Sequence, residues 1–351
     1  MLPVLLPAQE DSTAKNEKRV RYAALPIISY NRSFGMQFGI MGNGYFNACR
    51  NDTVSPASSA GIVLSMFTNK TYFIGSFNRF YLDSDRWRTK FGLGYGNINF
   101  QAYFDFPDGL PTAENDHLGE YVDYKTDMAF VYAEGMRLVA GRLYLGLRLT
   151  YSYLNTVFDS DTIPSETLNL FGFGLAGEYD NRDNVFNPHR GMNAKIKTFS
   201  FFKALGSSET YQRISLEYNQ YFALGNKSTL LGRFYGSISL GKHIPFNGKT
   251  VVGRDDIRGY TQGKYRGNQV YDLQVAYRLN FHKKWGMVTF AAVAVAVDDI
   301  HGTNSSGLLP GAGAGIRFRA IPSRNINIGI DAAVGKDDWG VYFRIGEAFT
   351  R

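Results

Sequence analysis

Long runs in which apolar and polar residues alternate restrict most strongly what this chain can fold into. The clearest run places apolar side chains at every second position: Leu143, Leu145, Leu147, Leu149, Tyr151 and Tyr153. Polar residues such as Arg148 and Thr150 fall between them, and the alternation recurs at 213–219, 325–331 and 341–345. A period of two predicts strands with one apolar and one polar face. Such strands build either a soluble sandwich or a membrane barrel whose polar face lines a wet lumen.

The lengths of these runs separate the two architectures. Strands of soluble proteins average about 5 to 6 residues, whereas strands that cross a membrane need about 9 to 11. The long runs of this chain lie at 35–47, 87–100, 142–154, 191–202 and 211–222. No segment shows a helical period with caps at its ends. The sequence therefore predicts an all-β fold, a transmembrane antiparallel β-barrel in an outer membrane.

The number of predicted strands gives a further test of the barrel. About sixteen are expected, at 22–30, 35–47, 57–67, 71–81, 87–100, 123–137, 142–155, 168–180, 191–203, 210–222, 227–241, 268–281, 286–298, 309–320, 324–335 and 339–349. Single-chain bacterial barrels have an even number of strands, with short periplasmic turns and longer outer loops. The longer loops are predicted at 101–122, 156–167, 242–267 and 299–308, although the connection 48–56 is too long for its side. Pro26 in the first strand indicates an edge or seam with weak pairing to the last strand.

The composition agrees with a barrel wall. Aromatic residues reach 15% of the 351 residues, with 27 Phe and 23 Tyr, and there are 38 Gly. This combination favours strands with aromatic belts over a soluble α/β enzyme. A transmembrane helix needs an apolar run of about 18 residues or more, and no run in this sequence is that long. The net charge of +7 comes from Lys and Arg scattered along strands, which disfavours nucleic acid as a partner.

The first twenty residues differ from the rest of the chain. Leu2 to Pro7 is apolar, is followed by Ala8, and resembles the end of a secretory signal without its charged start. An incidental apolar end is the alternative. We expect residues 1–20 to be the remnant of an export signal with a polar leader, and residues 21–351 to form a single barrel domain.

No catalytic constellation is visible. The histidines fall in predicted loops or turns without the spacing of metal ligands: His117, His189, His243, His282 and His301. Serine elbows, phosphate-cradling glycine loops and paired-carboxylate clefts are absent from the sequence. The only cysteine, Cys49, cannot form an intrachain disulfide. We therefore expect a protein that is not an enzyme and that needs no cofactor and no metal.

Three segments carry motifs of a known family. A glycine-rich cationic loop contains Ile257, Arg258, Gly259 and Tyr260. A turn before a strand contains Asp180, Arg182, Asp183, Pro188 and Gly191. The C-terminus contains Gly340, Phe343, Ile345 and a final aromatic residue, Phe349. In combination these segments resemble the BamA/TamA-like superfamily of outer-membrane assembly and secretion barrels, also called bacterial surface antigens.

The resemblance spans Tyr22 to Phe349 and implies a place for each motif. The Arg-Gly-aromatic motif is expected on a long sixth extracellular loop that folds back into the lumen. The Asp-Arg-Asp motif is expected in a periplasmic turn, and the C-terminal residues are expected to be the signal read by the barrel-insertion machinery. The implied partners are that machinery, outer-membrane lipids and lipopolysaccharide, and periplasmic or outer-membrane partner proteins.

The chain also departs from the family pattern. Family assembly factors carry periplasmic polypeptide-transport-associated (POTRA) repeats before the barrel, and we expect this chain to be a barrel without them. Ala276 stands where a glutamate is common, and 293–299 lacks the Phe-x-Asp-x-Gly pattern that faces the motif arginine. A buried guanidinium needs a charge-assisted partner, and Asp331 is the best remaining candidate for Arg258. The small residues Ala292, Ala294 and Ala296 would leave room for an inserted loop.

Two functions from different classes are compatible with these motifs. The first is assistance in the insertion or export of outer-membrane or surface proteins, through a weak seam between the first and last strands. The second is a passive channel or a structural subunit of an envelope complex, since sixteen strands can enclose an aqueous pore. In the channel, polar-face arginines would favour anions: Arg148, Arg213, Arg233 and Arg344.

Overall fold

The structure, a computed structural model, describes residues 20–31, 34–49, 52–104, 120–161, 163–253, 257–260, 264–298 and 305–348. Their strands are β1 (Val20–Asn31), β2 (Gly35–Phe46), β3 (Ser58–Phe67), β4 (Tyr72–Leu82), β5 (Trp87–Phe104), β6 (Glu120–Ala140), β7 (Leu143–Phe158), β8 (Glu166–Asp180), β9 (Gly191–Phe201), β10 (Tyr211–Leu224), β11 (Ser228–Leu240), β12 (Thr250–Val251), β13 (Arg266–Gly267), β14 (Gln269–Leu279), β15 (Trp285–Val297), β16 (Leu309–Ile321), β17 (Ile326–Gly335) and β18 (Asp338–Ile345). Short 3-10 helices lie at Lys203–Leu205, Phe246–Gly248 and Pro322–Arg324. Within these ranges, no helix is long and apolar enough to cross a membrane.

Sixteen strands, β1 to β11 and β14 to β18, form one closed antiparallel barrel in which each strand lies beside its neighbours in sequence. The small pair β12 and β13 forms a separate sheet within the connection from β11 to β14. The predicted all-β fold and its sixteen strands are confirmed. β5 and β6 are longer than predicted, with 18 and 21 residues, because their backbones stay paired beyond the apolar alternation.

The two faces of the wall differ in the way the alternation predicts. Apolar side chains on the outer face are exposed, among them Leu147 and Leu175. Charged side chains such as Glu134, Arg233 and Asp331 lie buried on the inner face. This inversion of the soluble pattern gives the barrel an apolar exterior and a polar interior, as strands in a lipid bilayer require.

The first and last strands meet over a short distance. β1 pairs with β2 along its whole length, from Val20 with Phe46 to Asn31 with Gly35. Its register with β18 contains one described pair, Asn31 with Gly340. The part of β1 that contains Pro26 therefore has no described partner in β18.

The end of the chain differs from the sequence prediction. The last strand was predicted at 339–349, but β18 ends at Ile345. Gly346 adopts a left-handed φ of 88°, and Glu347 then turns into the barrel, where it is 4% exposed. Glycine permits this conformation without a steric penalty. The predicted signal residues Gly340, Phe343 and Ile345 lie on β18, whereas Phe349 lies outside the described residues.

Candidate functional site

The connection between β11 and β14 contacts two opposite walls of the barrel. Near its start, the ring of Phe246 packs against Tyr124 and Phe158, with 5.1 Å between centroids in each case. Asn247 Nδ2 donates a hydrogen bond of 2.8 Å to Thr156 Oγ1 on β7. Further along the connection, the residues from Ile257 to Tyr260 contact side chains and backbone of β15, β16, β17 and β18. The connection therefore reaches across the interior.

Arg258 lies buried between a carboxylate and an aromatic ring. Its Nη1 donates a 2.7 Å hydrogen bond to Asp331 Oδ2, and its side chain is 1% exposed. The guanidinium carbon lies 3.3 Å from the ring centroid of Phe290, a cation–π arrangement. The structure thus brings Arg258 and its predicted partner Asp331 together. The function of this contact stays a prediction.

Asp331 serves more than one arginine. Arg317 Nη1 donates to its Oδ1 at 2.5 Å, and Arg344 Nε lies 2.8 Å from its Oδ2. Arg317 Nε also donates to Glu347 Oε2 at 3.0 Å. Three guanidinium groups therefore share two carboxylates, which compensates buried charge that would otherwise be costly.

Sequence reasoning did not assign Arg317 or Glu347 to this cluster. The place of Arg317 depends on the strand register, in which Gly329 pairs with Arg317 on one side and with Arg344 on the other. A side chain at 329 would meet Arg317, since a Cβ atom there would lie 2.6 Å from Nη1. Glu347 gave no signal, since the sequence places it inside the predicted last strand, whereas β18 ends at Ile345.

Glycines allow the backbone of the motif to approach the wall. Gly259 has a φ of 101°, and a Cβ atom on it would lie 2.5 Å from the carbonyl of Val334. A Cβ atom on Gly335 would lie 2.6 Å from the carbonyl oxygen of Gly259, and one on Gly311 would lie 2.8 Å from that of Arg258. Only glycine fits at these three positions without displacement of the backbone.

Polar contacts fix the motif on both sides of the arginine. Tyr260 Oη donates to the carbonyl of Pro310 at 2.5 Å and accepts from Lys336 N at 2.9 Å. Gly259 N donates to Tyr342 Oη at 2.9 Å. Because Tyr342 and Arg344 both lie on β18, the segment is attached to the last strand of the barrel.

Ile257 fills the apolar part of the site. It is buried in a cluster with Val252, Val270, Leu309 and Tyr260, and with the small residues of β15: Ala294 and Ala296. Ala292 packs against the same cluster. The alanines noted in the sequence therefore line the space that the segment occupies.

The turn motif forms an ion cluster of its own. Asp180 accepts two hydrogen bonds from the Arg182 guanidinium, at 2.7 and 2.8 Å, and one from Arg88 Nη1 at 2.7 Å. Asp183 Oδ1 instead accepts from the backbone of His189 at 2.8 Å. Pro188 is buried, and Gly191, at the start of β9, has a φ of 100°.

The arginines expected to favour anions are mostly paired. Glu134 binds Lys90 at 2.7 Å and Arg148 at 3.0 Å. Arg233 binds Asp272 at 2.8 Å, and Arg344 belongs to the Asp331 cluster. Arg213 donates to Ser239 Oγ at 3.3 Å and to the carbonyl of Gly248. A paired arginine adds little net positive potential, so these side chains give weak grounds for anion selectivity.

No group of His, Cys, Asp or Glu suited to a metal ion occurs in the part of the chain that the structure describes. The ring of His189 contacts Thr229 Oγ1 at 2.5 Å and the carbonyl of Gly225 at 2.9 Å.

Fold and site together define the class of protein. It is a transmembrane β-barrel with a polar interior that the connection between β11 and β14 crosses. The Omp85 superfamily domain matches residues 57–349. This chain belongs to the Omp85 superfamily and is a protein of the bacterial outer membrane.

Solved structures of similar fold agree with this assignment. BamA from Haemophilus ducreyi lacking POTRA domains 1–3 matches with a TM-score of 0.59 at 12% identity, over 94% of this chain and 71% of that one. CdiB from Acinetobacter baumannii matches with a TM-score of 0.58 at 14% identity, over 94% of this chain and 60% of that one. CdiB from Escherichia coli matches with a TM-score of 0.61 at 14% identity, over 96% of this chain and 64% of that one. The chain thus spans less than two thirds of either CdiB, and no curated protein sequence matches it.

Proposed function

We propose that this barrel assists the insertion or export of outer-membrane or surface proteins. It acts without enzymatic chemistry, by offering an unpaired strand edge to a client polypeptide. Main-chain hydrogen bonds to such an edge give affinity without demanding one client sequence. Membership in the Omp85 superfamily supports the general role, and the geometry below supports the mechanism.

The observation that carries the proposal is the limited contact between β1 and β18. One described register pair joins them, whereas β1 and β2 are paired from Val20 to Asn31. Unpaired edges recruit other strands. Among the described residues, β1 and β18 share fewer register pairs than any other neighbours in the barrel, so their separation should disrupt the least pairing.

The Arg258 cluster contacts β18, the last strand of the barrel. Asp331 on β17 holds Arg258, and Arg344 and Tyr342 on β18 complete the contacts. We propose that the motif holds β18 against β17 while its other edge engages a client. The motif would then be a brace for the seam, and the connection from β11 to β14 would enter the lumen from the extracellular side.

The proposed partners follow from this role. Outer-membrane lipids and lipopolysaccharide surround the apolar wall, and the barrel-insertion machinery assembles the barrel itself. A periplasmic or outer-membrane partner protein would deliver clients. A pull-down from native membranes identifies that protein.

Locking the seam tests the proposal. If the register at Asn31 and Gly340 continued, Ile28 would face Phe343. In a Cys49→Ser background, a cross-linked cysteine pair at these two positions should abolish client assembly, measured as a loss of outer-membrane proteins by quantitative proteomics. A matched control places cysteines at Ile28 and Phe38, which already pair between β1 and β2. Normal client levels in the locked seam variant would refute the mechanism.

The alternative function is a passive channel or a scaffold subunit of an envelope complex. Its support is the strand number, because sixteen strands can enclose a pore. Planar-bilayer recording separates the two proposals. Stable, ohmic and anion-selective openings of the wild-type barrel would favour the channel, and a closed barrel with normal client levels after depletion would favour the scaffold.

A further inference from the structure

The connection between β8 and β9, residues 181–190, reaches far from its own two strands. The ring of Phe186 packs edge-on against Tyr45 of β2, with 5.5 Å between centroids. β2 lies six places from β8 around the barrel (β8, β7, β6, β5, β4, β3, β2). Phe186 also joins an apolar cluster with residues of β1, β17 and β18: Ala23, Ile326 and Ile345. The connection therefore crosses the interior to the opposite wall.

Polar contacts hold the same connection from another side. Arg278, on the inner face of β14, donates from Nη1 to Asn187 Oδ1 at 2.8 Å and from Nη2 to the carbonyl of Pro188. Val185 and Pro188 are buried. Residues 184–188 thus contact walls on both sides of the mouth at which β8 ends and β9 begins.

The shape of the connection is fixed from within. Asn184 Oδ1 accepts from the backbone of Phe186 and of Asn187, both at 2.9 Å. At its base, Arg88 joins Asp180 to Asp85, with 2.7 Å to each carboxylate. Adjacent antiparallel strands need only about 2 to 5 linking residues. The extra length and the buried apolar residues require another explanation.

We propose that residues 184–188 form a plug, the β8–β9 plug, that closes this mouth of the barrel to solutes. The ion pairs of Asp180 with Arg182 and Arg88 anchor its base, and Arg278 and Tyr45 hold its tip. This assigns a task to the Asp-Arg-Asp motif that the seam proposal leaves without one. The plug would close the lumen whether or not the barrel handles client proteins.

The Arg258 segment contacts the opposite end of the interior. Tyr260 binds Pro310 at the start of β16 and Lys336 after the end of β17. Those strand ends lie away from the β8–β9 connection, because β16 runs in the direction of β8 in the alternating barrel order. The lumen therefore has two barriers in series, one at each end.

Single-channel recording of the purified barrel in planar bilayers tests the plug. The plug variant combines Phe186→Ala with Asn187→Ala, and the motif variant is Arg258→Ala. Each alone should stay closed, while their combination should gain discrete openings, because both barriers must be lost. Openings in either variant alone would overturn the serial arrangement, and a closed combination would overturn the plug. Phe91→Ala, which removes an exposed ring from the outer face of β5, is the matched control in the Arg258→Ala background.

A cross-link distinguishes plug movement from general loosening of the barrel. In the Arg258→Ala, Cys49→Ser background, cysteines at Tyr45 and Phe186 remove both rings and should produce openings. A short bifunctional maleimide that joins these cysteines should suppress the openings. The same reagent on cysteines at Ile28 and Phe38 should leave the single-channel conductance unchanged. Openings that persist after complete cross-linking at 45 and 186 would overturn the proposal.

Discussion

Glu347, which follows the last strand, reaches back into the barrel and places its Oε2 3.0 Å from Nε of Arg317. Its other oxygen accepts from Asn327 Nδ2 at 2.7 Å. The segment that follows β18 is thereby joined to the cluster that holds the Arg-Gly-Tyr motif. A carboxylate that follows β18 thus compensates part of the buried positive charge of this cluster.

Glu347→Gln should destabilise the barrel by about 1 to 3 kcal/mol, the usual cost of losing a buried charged hydrogen-bond partner. Three arginines would then share one carboxylate. The shift from the folded to the unfolded band on semi-native gels, followed with temperature, measures the effect. Glu209→Gln is the control, because Glu209 pairs with an exposed lysine, Lys203, at 3.1 Å and such pairs contribute about 0 to 1 kcal/mol. Equal shifts in the two variants would contradict the assignment of Glu347.

Asp331→Asn should cost more than Arg258→Ala. Without Asp331, three buried guanidinium groups are left with one carboxylate, Glu347, and breaking a buried ion pair costs about 3 to 5 kcal/mol. Without Arg258, Asp331 keeps Arg317 and Arg344. Arg258→Lys should restore only part of the loss, because the planar fork is absent. Thermal unfolding of the purified barrel gives the order, and a larger loss in Arg258→Ala would show that the cluster is not centred on Asp331.

Gly259→Ala should dislodge the motif from the wall. The added Cβ would lie 2.5 Å from the carbonyl of Val334, and the residue must hold a φ of 101°. Gly206→Ala is a matched control, because Gly206 has a φ of 91° but no atom within 4 Å of the added Cβ. The left-handed conformation alone costs about 1 to 2 kcal/mol, so the control separates strain from collision. The unfolding temperature of the purified barrel should fall further in Gly259→Ala than in Gly206→Ala.

The alternation of residues predicted the barrel well, because one face of every strand must meet lipid and the other the interior. The run from Leu143 to Tyr153 lies within β7, and its leucines are exposed on the outer face. The 3-10 helices and the inward turn at Gly346 were not predictable in the same way. They depend on contacts with distant strands, which leave no local period in the sequence.

The candidate site was predicted only where a motif or a face pointed to it. Asp331 could be chosen for Arg258 because it is a carboxylate on a polar face. Glu347 and the plug residue Phe186 could not be chosen, because residues without a period or a motif carry no sign of a long-range partner. Their roles depend on how the barrel closes around them.

A pH dependence is predicted in the connection between β2 and β3. Asp52 accepts hydrogen bonds from the Ser55 hydroxyl at 2.6 Å, from the backbone of Ser55 and Val54, and from Ser84 N at 3.0 Å in the next turn. The Ser55 hydroxyl is the largest cause that lowers the pKa of Asp52 from 3.8 to about 2. A carboxylate whose pKa is lower in the folded state stabilises that state above its unfolded pKa. This contribution is complete above pH 4 or so and is lost as the pH falls towards about 2.

The melting temperature of the barrel should therefore show an acid-sensitive component between about pH 4 and 2 that Asp52→Asn removes. Ser55→Ala should make that component smaller and end it at a higher pH, because the hydroxyl that lowers the pKa of Asp52 in the folded state is gone. Both variants keep the exposed apolar wall, so a change in detergent binding is not expected to confuse the comparison. Melting curves taken at half-unit intervals of pH measure the component as the difference between wild type and Asp52→Asn. A difference that is constant across the interval would show that the turn-to-turn contact does not depend on the ionised carboxylate.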